Sequence, residues 1–313
     1  MNTLTNFALQ TKFEKVKLLR PHIYEINKLL RWDDLVKLFP NKSETRGAPE
    51  YDKELMLKIL FLQICYGVSD EEMEYQIHDR LSFQQFLGFP ESIPDYSTIW
   101  RFREELTKEN TLELIWSALQ DQIKNKGIVI KKGVIQDAKF ITAEPGKKNS
   151  GMNGRGRTAK ASRSKDGSWT KKGKKSFFGF KMHNKMDIKT KILTEMGIST
   201  ASVHDGKIDL ADPDEINYRD RGYSGCPTKA KGDATMKRGK LSVQDKLRNK
   251  RISKIRSRGE HPYGTMVRSF KAGHTRLTTL GRVYVQQAFV CIVYNFHRLN
   301  FLLKKQPSVS SPN

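Results

Sequence analysis

Cysteine pairs, long apolar runs and acidic residues are what this sequence has least of. Its three cysteines, Cys65, Cys226 and Cys291, lie far apart with no CxxC spacing. That argues against a structural zinc site and against a disulfide framework, and it points to a reducing, intracellular setting. The N-terminal stretch MNTLTNFALQTKFEKVKLLR holds no uninterrupted apolar segment and no small-residue cleavage site, so no secretory leader is expected. The stretch most like a membrane span, VYVQQAFVCIVYNFHRLNFLL, is interrupted by Gln286, Gln287, Asn295, His297 and Arg298. It reads as a buried amphipathic helix, with no membrane partner. Acids are the third shortage: 34 Asp and Glu stand against 57 Lys and Arg, a formal net charge of +23 over 313 residues. Such an excess repels itself in a compact fold unless a polyanion neutralises it. Nucleic acid is the usual partner, because each neutralised phosphate also releases condensed counterions.

Apolar residues make up 37% of the chain, enough for a core and too many for general disorder. Up to Gly127 the pattern is almost purely helical. YEINKLLRWDDLVKLF has helical spacing, a loop covers Asn41 to Pro49, and KELMLKILFLQICY runs to a stop at Gly67. Ser69 and Glu72 fit a capping box opening EEMEYQIHD. SFQQFLGF, STIWRFREELTKE and TLELIWSALQDQIKNK follow as further helices.

The character changes at Lys131. GVIQDAKFI has strand composition, and residues 144–175, rich in Gly, Ser, Lys and Arg, read as a mobile basic insertion. KSFFGFKMHN and KILTEMGIS read as a hairpin, HDGKIDLA as a short helix, and EINYRD as a buried strand. Residues 229–258 carry twelve Lys or Arg and two acids and are expected to lie along nucleic acid. The expected division is a helical domain at 1–127, a mixed α/β domain of catalytic type at 128–304 and a polar tail at 305–313.

Three acids stand out by context. Asp137 lies in mid-strand, where an unpaired carboxylate is costly unless it meets a metal or a cation. Asp220 ends a strand just before Gly222 and Tyr223, and Glu260 stands near the start of a helical stretch that also contains Pro262. Carboxylates converging from separate elements suit hard divalent cations, which activate an attacking oxygen and stabilise a leaving one at a phosphodiester. Unrelated salt bridges with the abundant Lys and Arg are the plainer reading of the same three residues. Asp205 competes with Asp220 as second ligand, against the commoner role of helix N-cap. His183 and His204 are read as ordinary hydrogen-bonded histidines. In PDYSTIWRFREEL, Ser97, Thr98, Arg101 and Arg103 can reach phosphates or base edges, while Ile99, Trp100 and Phe102 form an apolar face.

Five segments stand in a telling order: GVIQDAKFIT at 133–142, FFGFKMHN at 177–184, ASVHD at 201–205, NYRDRGY at 217–223 and RSRGEHPY at 256–263. Together they resemble the DDE transposases of prokaryotic insertion sequences, of the IS-five type, over roughly residues 46–300. The resemblance implies an α/β, RNase H-like catalytic domain behind an all-helical one. It assigns the three catalytic, metal-holding acids to Asp137, Asp220 and Glu260, and makes Arg256 the family's DNA-contacting arginine. It further implies Mg2+, replaceable by Mn2+, with two ions per site, and cleavage at an element's terminal inverted repeats followed by transfer into target DNA. A homodimer on double-stranded DNA, in the cytoplasm and on the nucleoid of a prokaryote, completes the expectation. The chain departs from the family pattern at Val267, where a basic residue is expected and Arg268 is the nearest replacement, and at Ser253, where a Tyr is expected. The competing functions are a decayed or domesticated DNA-binding protein and an RNase H-like nuclease without strand transfer.

Overall fold

A computed structural model describes residues 4–19, 21–40, 49–108, 110–128, 133–146 and 164–305. The chain divides into two compact units, one of residues 1–126 with 295–313, the other of residues 127–294.

In the first unit the described residues are helical: α1 (Leu4–Leu19), α2 (Pro21–Leu29), α3 (Trp32–Val36), α4 (Lys53–Tyr66), α5 (Asp70–Asp79), α6 (Leu81–Leu87), α7 (Tyr96–Lys108) and α8 (Thr111–Asn125). α4 is its centre, and Leu55 to Gln63 is buried almost without interruption. Asp52 caps α4 through the amides of Glu54 and Leu55, and Gly67 ends it in the left-handed region at φ 60°. Ser69 caps α5 through Glu72, as the sequence motif implied. Trp32, Phe61 and Phe86 pack ring against ring around α4.

The second unit is built on one sheet: β1 (Gly133–Ala143), β2 (Ser168–Lys172), β3 (Lys175–Asp187), β4 (Leu193–Thr200), β5 (Ile216–Arg219), β6 (Gly232–Thr235) and β7 (His274–Thr275). β1 is central, antiparallel to β3 and parallel to β5, which in turn runs parallel to β6. β4 and β2 both pair antiparallel with β3, along 180–186 and 175–179. The expected hairpin is therefore β3–β4. Of the basic segment 144–175, read from the sequence as mobile, residues 147–163 lie outside the described residues. Ser168–Lys172 is a strand, because Trp169 packs its ring on Phe178 of β3 at 5.3 Å. Gly179 is required where β1 and β3 meet, since a Cβ there would stand 2.0 Å from the Ile141 carbonyl.

The register sorts the two faces of the sheet, because residues paired across an antiparallel ladder project to the same side. One face carries Ile135 with Met186, Asp137 with Asn184, and Ile141 with Phe180. It is apolar and covered by α10 (Glu260–Ser269) and the long α11 (Leu280–Lys305): Gly259 abuts Ile135 and Met186, and Cys291 reaches Met182 and Asn184. The other face pairs Gln136 with Lys185, Ala138 with His183 and Phe140 with Lys181. It is polar and roofed by residues 203–215. Gln136 bonds Ile208 and Leu210, and Lys185, 1% exposed, pairs with Asp212 and Glu215. A buried lysine persists only with such partners. In place of the expected helix at 204–211 there is a single 3-10 turn, Asp205–Lys207, because this segment spends its backbone groups on the sheet below. Between β6 and α10 comes α9 (Val243–Arg256), opened by a full capping box of Ser242 and Asp245. Among the described residues no helix is long and apolar enough to cross a membrane. The stretch 283–303 lies within α11, with Val283, Cys291, Val293, Phe296 and Leu299 fully buried.

Candidate active site

Asp137 sits in the middle of the central strand, its carboxylate 28% exposed. Burial pushes its pKa up to about 6, against the opposing pull of the Arg256 guanidinium, and the negative charge of Asp220 raises it further. Arg256 Nη2 stands 3.2 Å from Asp137 Oδ1, and the same oxygen accepts from the Ala138 amide at 3.0 Å. Arg256, expected at DNA, thus lies on the first acid.

Asp220 follows β5 directly and caps a 3-10 turn, Arg221–Tyr223, by accepting from the Gly222 amide at 2.7 Å. A Cβ at position 222 would come 2.9 Å from that oxygen, which gives the Asp-x-Gly pattern a steric reason. The residue before it fixes the strand end. Arg219 is fully buried, donating to Thr235 Oγ1 at 2.8 Å and to the carbonyls of Cys226 and Pro227 at 2.9 and 3.1 Å. Its guanidinium also lies over the Tyr223 ring. Arg219 therefore ties β5, β6 and the loop beyond Asp220 together, a role that the sequence did not announce because a buried arginine looks like any other basic residue.

Glu260 is the first residue of α10 and is exposed. Pro262 consequently falls in the first turn, where a missing N–H breaks no intrahelical bond. One turn on, the buried Tyr263 donates its hydroxyl to the Asp137 carbonyl at 2.8 Å. With Gly259 seated on Ile135, this hydrogen bond pins the start of α10 to β1 beside Asp137. The sequence reading passed over Tyr263; its place three residues after Glu260 was the available signal.

Asp137 and Asp220 are thus brought close enough to interact, while Glu260 stands on a helix anchored to the same strand. Among the described residues, no three His, Cys, Asp or Glu side chains converge tightly enough to form a metal-holding group. The donors on offer are carboxylate oxygens, with no thiolate among them, and this set fits a hard divalent cation rather than zinc.

Asp205 does not take the cap expected of it. His204 Nδ1 accepts from Gly206 instead, and Asp205 pairs with Lys181 at 2.8 Å. By register Lys181 belongs to the sheet face opposite Asp137, and the effect of Asp205 on Asp137 ranks below that of Asp220. His183 is fully buried with Nε2 2.7 Å from Ser199 Oγ, and burial pushes its pKa down to about 4.

The other residues singled out lie on separate elements. On α7, Asp95 caps the first turn through Thr98 N, Ser97 hydrogen-bonds Asp95, and the exposed Arg101 reaches Ser97 Oγ at 2.8 Å. Arg103, expected among the DNA contacts, turns inward. Its fork grips Asp70 through both terminal nitrogens and also bonds Gln63 at 3.0 Å, tying α7 to α4 and α5. Arg268 is exposed near the end of α10, with Nε on the Gly264 carbonyl. Val267 packs near Gly273.

Two family models match the chain. One, described as Transposase DDE domain, covers residues 130–296. The other, described as Transposase domain (DUF772), covers residues 12–105. No solved structure matches the chain.

Proposed function

Because the chain belongs to the family of transposases with a DDE domain, enzymes that cleave DNA and transfer the cut strand on an RNase H-like fold, we propose that Asp137, Asp220 and Glu260 are its three catalytic acids. The observation that carries this assignment is Asp137: a carboxylate in mid-strand, raised to about 6 by burial, with Asp220 beside it. A fold keeps such a group only where something cationic offsets its desolvation.

Transposases of this family use divalent metal ions, and we assign Mg2+ here, two per site, with Mn2+ as a substitute. Asp137, Asp220 and Glu260 would hold them, and the bound ions supply activation of the attacking oxygen and charge neutralisation at the phosphodiester. The protein's own part is positional. Arg219 and Gly222 fix Asp220, Tyr263 holds α10 against β1, and Arg256 keeps a positive charge at Asp137. Positioned charge of this kind supplies much of the barrier lowering in phosphoryl transfer. Asp205 is left out of the triad, since Lys181 on the opposite face takes its carboxylate.

The substrate is DNA. Its proposed forms are the terminal inverted repeats of an insertion sequence of the IS-five type and a target duplex, bound by a homodimer on the nucleoid in the cytoplasm of a prokaryote. Ser97, Thr98 and Arg101 on the outer side of α7, and Arg268 on α10, are proposed contacts; Arg103 is committed to Asp70.

The test is a joining assay with element ends and a target plasmid, in Mg2+ or in EDTA, with Asp137→Asn, Asp220→Asn and Glu260→Gln beside the wild type. Joined products that need metal and vanish in all three variants, while band shifts persist, support the triad. Nicking without joining would make the chain a nuclease, and binding without any cutting would make it a DNA-binding relic.

A further inference from the structure

We propose that β2 and β4 form one open sheet edge through which two copies of this chain pair about a two-fold axis. The inference rests on the transposase reading only for the expectation of a second copy, and it names the surface that copy uses.

Both strands lie on the side of β3 that faces away from β1. β2 covers Lys175 to Gly179, and β4 takes over at Phe180. The Ser202 amide donates to Ser168 Oγ at 2.8 Å and closes the join. Together the two strands give a border of thirteen residues, about 40 Å long at ~3.3 Å per residue. In the described sheet no strand pairs with the outer side of either. Ala201 N bonds Gly179 O, so the alternate residues Met196 and Ile198 turn their own amides and carbonyls outward.

The opposite border of the same sheet is guarded. There Arg248 donates to the β6 carbonyls of Thr235 and Asp233 at 2.6 and 3.1 Å, taking the acceptors that another strand would use. β4, with the sequence LTEMGIST, holds neither Pro nor Lys, the residues that commonly keep an edge from pairing.

Charge decides what pairs there. At one end of the border stand Lys171 and Lys172, with Lys174 and Lys175 at the turn beyond, all exposed. At the other end is exposed Glu195. Burial raises its pKa, the Lys185 ammonium opposes the rise, and the charges of Asp212 and Glu215 add to it, so all three stand near. Two copies laid side by side in the same direction would bring like charges together. A two-fold axis reverses one copy and sets the acidic end of each against the basic end of the other, as an isologous dimer requires.

Centring the axis on Ser199 also matches the faces. Trp169 opposes Phe178 of β3 and Met196 opposes Asn184, positions an even number of residues apart, so both project to one face. Across the axis Trp169, 55% exposed, meets Met196 of the second copy. On the other face Glu195 meets Thr170 of that copy, with its Lys172 one diagonal step away and within reach of a long side chain.

The test is sedimentation of the full chain at micromolar concentrations and low salt, without DNA or metal. The wild type should be a dimer. Glu195→Lys and Lys172→Glu each turn attraction into repulsion twice per dimer, and each should raise the dissociation constant about tenfold or more. Mixed in equal amounts, the two variants should recover a dimer within about threefold of wild-type affinity, because opposite charges meet again at both ends. That recovery also shows that both variants fold. A wild type that stays monomeric overturns the proposal, as does a dimer indifferent to both substitutions or a pair of variants that fails to recover on mixing. The catalytic reading is judged separately: Asp137→Asn should dimerise like the wild type, and a wild type that dimerises through this edge yet joins no DNA would sink the transposase reading alone.

Discussion

Asp137→Asn should make the metal-free protein more stable near neutral pH, although it removes a catalytic acid. Burial raises the Asp137 carboxyl from the ordinary 3.8 to about 6. The folded protein therefore holds that proton more tightly than the unfolded chain does. Stability from protonated Asp137 is complete below about 3.8 and is lost as pH rises through about 6. The difference, 6 − 3.8 or about 2.2 units, corresponds to an upper bound of about 3 kcal/mol at ~1.36 kcal/mol per unit. Two effects reduce it: the carboxylate is 28% exposed, and Asn leaves Arg256 without its counter-charge. An advantage of roughly 1–2 kcal/mol for Asp137→Asn at pH 7.5 is expected, shrinking towards zero or reversing at pH 4.5. Urea denaturation of both proteins in EDTA across that range measures it. Millimolar Mg2+ should then stabilise the wild type and not the variant, because an ion that binds only the folded state adds stability by mass action. A stability gap that stays flat with pH, or an Asn variant that is the weaker protein at pH 7.5, would refute the desolvation argument.

Three further outcomes follow from the same geometry. Tyr263→Phe removes the bond to the Asp137 carbonyl and should cost about 1 kcal/mol in urea denaturation, with strand joining reduced more than DNA binding because the start of α10 loosens. His183→Gln should flatten acid unfolding: the buried imidazole, held down to about 4, contributes stability above pH 6.5 that is lost as pH falls from there through 4. Unchanged pH dependence in a urea series would count against it. Asp220→Asn should abolish joining while Asp205→Asn keeps it; gel assay of joined plasmid separates them, and the opposite pattern would transfer the second acid to Asp205.

Much of the helical unit was legible because its signals are local. Asp52, Gly67 and Ser69 cap or stop helices by bonds within a few residues, and no distant contact is needed to read them. The hairpin β3–β4 was visible for the same reason. Positions 204–211 were misread: Asp205 looked like a cap, but the roof over the polar sheet face takes the backbone that a helix would need. Arg103 was misread too, since its fork finds Asp70 on another helix, thirty-three residues away. The three acids were singled out by strand and turn context together with the ordered motifs. Nothing local revealed that Arg256 would stand on Asp137, or that Tyr263 would pin its strand.

By itself the sequence determined the chemistry on offer: a surplus of cations that calls for a polyanion, oxygen donors without thiolates, and motifs in the order of a DDE transposase. It also determined where helices start and stop, because caps and turns are short-range. The tertiary structure alone decided which charges meet. It set Lys181 with Asp205 on one face and Asp137 on the other, and closed Arg103 onto Asp70. Those outcomes depend on register and packing between distant segments. A one-residue slip in β3 would exchange every one of its side chains between the faces, and composition is blind to such a shift.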